Sequence, residues 1–203
     1  MHPFKQVLAK PDAPKPEYYT QNYLFWSACA DSKLVDSIVN IGEGLEQYGA
    51  QIGTSVATST LSQENRVSDI SWIRYNSDTE FLFDFVIDKI DRINYHHYGM
   101  ILHGMEEFQF TRYSPGGHYV YHNDIIVREG SMRKLSIVMC LSDSSEYTGG
   151  DFLLMPHGRN PETIRFQKGD LIAFPSWIPH KVEPVITGLR RTLVTWVYGP
   201  PFA

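Results

Sequence analysis

Two histidines, one aspartate and one arginine have the types and spacing to do chemistry. His122 and Asp124 stand one residue apart in His122-Asn123-Asp124. In an extended strand, residues i and i+2 point to one face, so an imidazole and a carboxylate would converge there. On its own the pair is weak: chance supplies roughly half a His-x-Asp match in such a chain, and a solvated pair at a strand end is the bland alternative. His180 follows the proline-rich turn Phe174-Pro-Ser-Trp-Ile-Pro and opens a further strand. Alone it reads as a satisfied structural histidine. Together the three make a 2-His-1-carboxylate set, which occupies one face of an octahedral Fe(II) and leaves three positions open. Zinc and manganese accept the same donors, so ligand type leaves the metal open. Arg190, on the next strand, offers a bidentate fork for a carboxylate. Arg191 competes for that role. Alternation puts Arg190, Thr192, Val194 and Trp196 on one face, and Arg191, Leu193, Thr195 and Val197 on the other.

These residues need a scaffold, and the pattern of the chain predicts one. Residues 1–20 carry Pro3, Pro11, Pro14 and Pro16 without periodicity and read as an extended arm, leaving 21–203 as a single domain. Asp31 or Ser32 caps a first helix, with Leu34, Ile38, Ile41 and Leu45 at helical spacing and Gly49 as its stop. Residues 51–71 are polar and rich in Ser and Thr, and read as a long functional loop with at most a short strand. Ser77-Asp78-Thr79-Glu80 is a capping-box pattern. It opens a second helix whose apolar face is Phe81, Leu82, Phe85, Val86, Ile90 and Ile93, with Gly99 as its stop. Eight short strands are then expected, over 106–113, 119–125, 133–141, 151–155, 162–166, 170–174, 180–186 and 190–198. Gly, Pro, Asn or Asp marks most of the gaps, and Gly149-Gly150 reads as turn chemistry. The predicted fold is α+β and mainly β: a double-stranded β-helix, or jelly roll, about 106–198, with the N-terminal helices packed on one sheet.

Composition narrows the partners. The 203 residues are 42% hydrophobic and 20% charged, which is a globular balance. A net charge of −5 gives no basic surface for nucleic acid. No stretch approaches the ~18 apolar residues of a membrane span. The N-terminus lacks the apolar core of a secretory signal. The two cysteines, Cys29 and Cys140, imply no disulfide framework, so a cytoplasmic setting is expected. His96 and His97 read as helix-end residues. His157 reads as a loop residue, and His103 and His118 lack a carboxylate two residues on.

The order and spacing of several motifs resemble the Fe(II)- and 2-oxoglutarate-dependent dioxygenases, in their prolyl 4-hydroxylase-like branch. The resemblance runs through Arg112-Tyr-Ser-Pro-Gly-Gly-His-Tyr119-Val-Tyr-His122-Asn-Asp124, Leu135-Ser-Ile-Val-Met-Cys-Leu-Ser-Asp143 and Tyr147-Thr-Gly-Gly-Asp-Phe152. It continues in Lys168-Gly-Asp-Leu-Ile-Ala-Phe-Pro-Ser176, His180-Lys-Val-Glu-Pro-Val185 and Gly188-Leu-Arg190. Val67-Ser-Asp-Ile-Ser-Trp72 and the second helix resemble the family's N-terminal part. The resemblance implies that His122, Asp124 and His180 ligate Fe(II), and that Arg190 holds the distal carboxylate of 2-oxoglutarate, helped by Tyr113. It implies that Tyr119 and Trp196 lie near the substrate, although all three aromatics also suit a β-rich core. Cys140 falls where some relatives carry a tyrosine at the cosubstrate. The implied reaction consumes O2 and 2-oxoglutarate, releases succinate and CO2, and hydroxylates a C–H, with ascorbate keeping the iron ferrous. The expected substrate is a prolyl residue in a protein or peptide, over which the 51–71 loop, with Arg66, would fold. A free amino acid or other small molecule is the alternative substrate. A non-catalytic metal-binding jelly roll and a zinc-dependent hydrolase are the alternative classes.

Overall fold

The computed structural model describes residues 2–3, 22–50, 65–156, 158 and 160–202. The reading of 1–20 as an arm falls outside these residues apart from 2–3, as do residues 51–64 of the proposed lid and His157. The strands are β1 (His2–Pro3), β2 (Leu24–Trp26), β3 (Tyr48–Gly49), β4 (Arg66–Val67), β5 (Asp69–Ile73), β6 (Gly104–Met105), β7 (Phe108–Tyr113), β8 (His118–His122) and β9 (Val127–Arg128). There follow β10 (Ser131–Cys140), β11 (Tyr147–Gly149), β12 (Phe152–Leu154), β13 (Glu162–Ile164), β14 (Leu171–Pro175), β15 (His180–Val182), β16 (Val185–Gly188) and β17 (Arg190–Gly199). Two helices, α1 (Ser32–Glu43) and α2 (Glu80–Ile93), precede the main run of strands.

The strands form a major sheet in the order β2-β14-β10-β17-β7-β5-β3 and a minor sheet in the order β13-β12-β15-β8-β4, with β11 and β16 as a separate pair. All pairings are antiparallel, and non-consecutive strands lie side by side, as a jelly roll requires. The expected fold class therefore stands. Its major sheet also recruits β2, β3 and β5 from before residue 106. The expected strand 180–186 is cut at Pro184 into β15 and β16, which belong to different sheets.

Alternation along the long central strands separates two apolar layers. Leu135, Ile137 and Met139 of β10, Phe108 and Phe110 of β7, and Leu193 and Val197 of β17 pack against the helices. Val138 and Cys140 of β10 join Phe152, Leu154, Phe166, Ile172, Phe174 and Val182 between the sheets. Each fully buried Phe, Leu or Ile of this kind contributes about 1.5–3 kcal/mol.

The helices begin and end where backbone hydrogen bonds dictate. Asp31 caps α1 by accepting from the Leu34 N–H at 2.8 Å. The helix ends at Gly44, earlier than the expected Gly49, because Tyr48–Gly49 leaves to pair with β5. The capping box at Ser77 does not form. Thr79 precedes α2, and its hydroxyl accepts from the Asn76 N–H and donates to the Arg74 carbonyl, so it holds the incoming turn. The buried face of α2 is Leu82, Phe83, Val86, Ile90 and Ile93, whereas Phe81 is 42% exposed. The expected stripe started one position too early. A wider turn over Asn94–Tyr98, holding His96 and His97, continues to Gly99, which ends it at φ 57°.

Gly42 lies where α1 meets the major sheet. A Cβ there would come within 2.4 Å of the buried Phe110 ring. Gly→Ala inside a helix ordinarily gains about 1 kcal/mol. Here Gly42→Ala should reverse that sign and cost about 1–3 kcal/mol through overpacking. Urea unfolding measures it, and an unchanged or raised midpoint would show that the ring moves aside freely.

Candidate active site

The metal-binding chemistry gathers where β8 meets β15. His180 pairs directly opposite His122, with their ring centroids 4.2 Å apart. Asp124 lies two residues past the end of β8, so strand alternation does not aim its side chain. Its N–H donates to the Ser176 carbonyl at 2.8 Å, and Ser136 Oγ donates to Asp124 Oδ2 at 2.6 Å. These bonds turn the carboxylate inward. Asp124 Oδ1 then lies 3.6 Å from His122 Nε2, and Oδ2 lies 3.4 Å from His180 Nε2. One ligand atom from each of the three residues falls within 4.8 Å of the others.

The protonation pattern shows what this cluster wants. His122 Nδ1 faces the Val120 carbonyl at 2.8 Å and His180 Nδ1 faces the Ile178 carbonyl at 3.0 Å. A carbonyl only accepts, so both Nδ1 atoms carry a proton, and in the neutral rings both Nε2 atoms present lone pairs. Two lone pairs and an ionised carboxylate therefore point at one another. A cation completes that arrangement, and backbone carbonyls on the far ring nitrogens are the usual way of aiming histidine ligands. Burial drives the His122 imidazole down to about 3, helped by His180 and only partly opposed by Asp124. Burial alone would raise Asp124, but His180, His122 and the Ser136 hydroxyl together hold it below the ordinary carboxylate range. Phe174 meets the His180 ring edge-on at 4.8 Å, and Phe152 lies 5.7 Å from it. Tyr119 stacks on His122 with centroids 3.5 Å apart.

A cavity of about 320 Å³ opens from this cluster between the sheets. Eight residues proposed from the sequence for the site line it: Arg66, Tyr113, Tyr119, His122, Asp124, His180, Arg190 and Trp196, whereas Arg191 and Cys140 do not. Arg190 is 1% exposed, its Nε lacks a hydrogen-bond partner, and its guanidinium carbon stands 5.5 Å over the Tyr113 ring. Arg191 faces the opposite side of β17. It pairs with Glu43 at 2.7 Å and with Glu146 at 3.1 Å. Trp196 is sandwiched by context: the Arg133 guanidinium lies 3.9 Å over its ring and Trp72 lies 6.4 Å away. Arg133 is itself held by Glu106 at 2.7 Å.

Sequence reasoning passed over several members of this site. Ser136 is the clearest, and its signal was a small polar residue at an inward position of the apolar run Leu135–Leu141. Gln109 and Thr111 also line the cavity, on the inward parity of β7. Gly149-Gly150 is more than a turn. Both glycines have positive φ, and a Cβ at Gly150 would come 2.9 Å from Arg190 Cδ. Cys140 is fully buried in the layer between the sheets, its Sγ directed at the Ser142 carbonyl, and burial pushes its thiol up.

The fold and site together define a jelly-roll protein with a 2-His-1-carboxylate cluster and a buried arginine in one cavity. Residues 108–198, which include β7 through most of β17, match the 2OG-Fe(II) oxygenase superfamily. The family implies Fe(II) and 2-oxoglutarate as cofactors, and the donor set fits that metal. A PKHD-type hydroxylase of Stutzerimonas stutzeri is 36% identical over 94 residues, covering 43% of this chain and 41% of that protein. One from Janthinobacterium sp. is 37% identical over 94 residues, with the same coverage. The chain thus spans about two fifths of the length of these relatives. A Pseudomonas putida prolyl-4-hydroxylase superposes with a TM-score of 0.69 at 20% identity, covering 88% of this chain and 92% of that one. A Trichoplax adhaerens prolyl hydroxylase, solved with a hypoxia inducible factor peptide fragment, gives a TM-score of 0.70 at 21% identity, covering 88% and 84%. Among the described residues, no helix is long and apolar enough to cross a membrane.

Two measurements follow from the electrostatics. An unfolded histidine titrates near 6.5, so between about 6.5 and 3 the unfolded chain binds a proton that native His122 refuses. The stability of the metal-free protein should therefore fall as pH drops through that window. Urea midpoints against pH should show the slope, and His122→Ala should flatten it. Ser136→Ala should weaken Mn(II) binding about 10–100-fold by calorimetry with little change in melting temperature. Unaltered affinity would mean that Ser176 and the backbone suffice to aim Asp124.

Proposed function

We propose that this protein is an Fe(II)- and 2-oxoglutarate-dependent dioxygenase that hydroxylates an unactivated C–H, namely C4 of a prolyl residue in a protein or peptide. One observation carries the reading. Three inward-facing metal donors and a buried arginine without a carboxylate partner among the described residues share one cavity. When bound, iron would supply O2 activation coupled to decarboxylation of 2-oxoglutarate to succinate and CO2.

The chain's own residues do the rest. His122 and His180 would hold the metal through Nε2, aimed by the Val120 and Ile178 carbonyls, and Asp124 would supply the anionic ligand, aimed by Ser136. Arg190 would take the distal carboxylate of 2-oxoglutarate with its guanidinium fork, and Tyr113 would add its hydroxyl. Gly150 leaves room for the arginine stem. Trp196 and Tyr119 would form apolar walls beside the substrate carbon and keep water from the reacting centre. Ascorbate would return oxidised iron to the ferrous state. A prolyl substrate draws support from the PKHD-type hydroxylase relatives and the prolyl hydroxylase neighbours. Free thiols at Cys29 and Cys140 suit a reducing, cytoplasmic setting.

The test incubates the protein with Fe(II), 2-oxoglutarate, ascorbate and a pool of proline-containing peptides, with His122→Ala as the blank, and reads mass spectra. A gain of one oxygen localised to proline is the expected result. Succinate formation without peptide oxidation would keep the dioxygenase and reject the prolyl peptide. In the same assay Asp124→Ala should abolish 2-oxoglutarate turnover. Arg190→Ala should raise the 2-oxoglutarate requirement at least tenfold while Mn(II) affinity holds, and Arg191→Ala should leave it unchanged. The opposite outcome for the two arginines would move the cosubstrate to the other face of β17.

A further inference from the structure

A second arginine shares with Arg190 a buried charge without a carboxylate partner among the described residues. Among the described residues, the partly buried arginines and the exposed Arg74 and Arg92 find carboxylates: Arg74 with Glu107, Arg92 with Asp88, Arg112 with Glu43, Arg133 with Glu106 and Arg191 with Glu43. Arg128 and Arg165 are exposed to water. Only Arg66 and Arg190 are buried, at 9% and 1% exposure, without an acidic partner among the described residues, and both line the same cavity.

Among the described residues, the partners of Arg66 hold its fork without cancelling its charge. Its Nε donates to Ser68 Oγ at 2.9 Å and its Nη2 to Gln109 Oε1 at 2.8 Å, and both acceptors are neutral. Thr111 donates to the same Gln109 oxygen and so fixes the amide. Neither arginine bond uses Nη1. The guanidinium carbon stands 4.7 Å over the Tyr119 ring, which in turn stacks on His122 at 3.5 Å. Arg66 is therefore two stacking layers from a metal-ligand imidazole, inside the cavity.

We infer that Arg66 is a recognition point for a carboxylate of the substrate, so that the molecule hydroxylated here is an acid. This rests on the dioxygenase reading above. In that reading the two charges of the iron are met by Asp124 and the chelating carboxylate of 2-oxoglutarate, and Arg190 is met by the distal carboxylate. Among the described residues the charge of Arg66, 9% exposed, is then left over, where an unpaired guanidinium is disfavoured and a substrate anion matches it. A site built to pair a buried polar group discriminates sharply against a ligand lacking the partner. The carboxylate can come from a free amino acid or from an acidic or terminal residue beside the hydroxylated position of a peptide.

Binding to the protein loaded with Mn(II) and 2-oxoglutarate tests this without turnover, read by the fluorescence of Trp72 and Trp196, which line the cavity. One arm compares the twenty L-amino acids and N-acetyl-proline with their amides. The other compares capped alanyl-prolyl-glutamate with capped alanyl-prolyl-glutamine. The acid should bind at least tenfold tighter than its uncharged partner in one arm, and that arm identifies the source of the carboxylate. Arg66→Met should erase the preference, and Arg66→Lys should restore part of it, while 2-oxoglutarate binds all three proteins alike. Acids and amides binding equally, or neither binding, would overturn the inference while leaving the dioxygenase reading intact. Failure of 2-oxoglutarate itself to bind the wild-type protein would instead sink the dioxygenase reading and the inference with it. The comparison of acid with amide on the unmutated protein stands even where Arg66→Met fails to fold.

Discussion

The site is organised by a repulsion. Two imidazole lone pairs and a carboxylate are pressed together at 3.4–3.6 Å in a box of aromatic rings, and nothing among the three side chains relieves them. Hydrogen bonds from outside the cluster hold them there: two backbone carbonyls on the histidines, and Ser136 with the Ser176 carbonyl on Asp124. Those supports come from both sheets, since β8 and β15 belong to the minor sheet and β10 and β14 to the major one. The cluster therefore exists only when the sandwich is closed, and folding itself assembles the donor set.

The last strand shows how one stretch of chain divides two tasks. Arg190 faces the cavity, and its neighbour Arg191 faces Glu43 at the end of α1. Glu43 also receives Arg112, and the two guanidinium groups hold its carboxyl below the ordinary range despite the opposing effect of burial. The same strand thus turns one cation into the cavity and uses another to fasten a helix to the sheet. A shift of β17 by one residue would exchange them.

Much of this was legible because the signals are local and periodic. The alternation of Arg190, Thr192, Val194 and Trp196 along one strand placed all four on the cavity side. The histidine spacing marked the metal donors. What escaped was set by tertiary context. Asp124 is turned inward by Ser136 and Ser176, residues distant in sequence, and not by strand alternation. Glu80 accepts from the Tyr75 hydroxyl at 2.8 Å, so the apparent capping box at Ser77 lacks the carboxylate that would complete it. Gly44 ends α1 because Tyr48–Gly49 is drawn onto β5, a pairing that no local pattern announces. Gly150 looked like a turn residue, and only the path of the Arg190 side chain shows why it has no Cβ.

The two apolar layers described for the major sheet also separate robustness from adaptability. The helix-side layer is closed and continuous, with Phe83, Phe108, Phe110, Ile38 and Ile90 fully buried, and it contains none of the metal donors. The layer between the sheets is interrupted by the cavity, and its walls on the far side come from short strands of three to five residues such as β8, β12 and β15. Changes in those short strands can reshape the wall without touching the packing that keeps the helices in place. A fold arranged this way can drift toward new substrates along one sheet while the other carries the burden of staying folded.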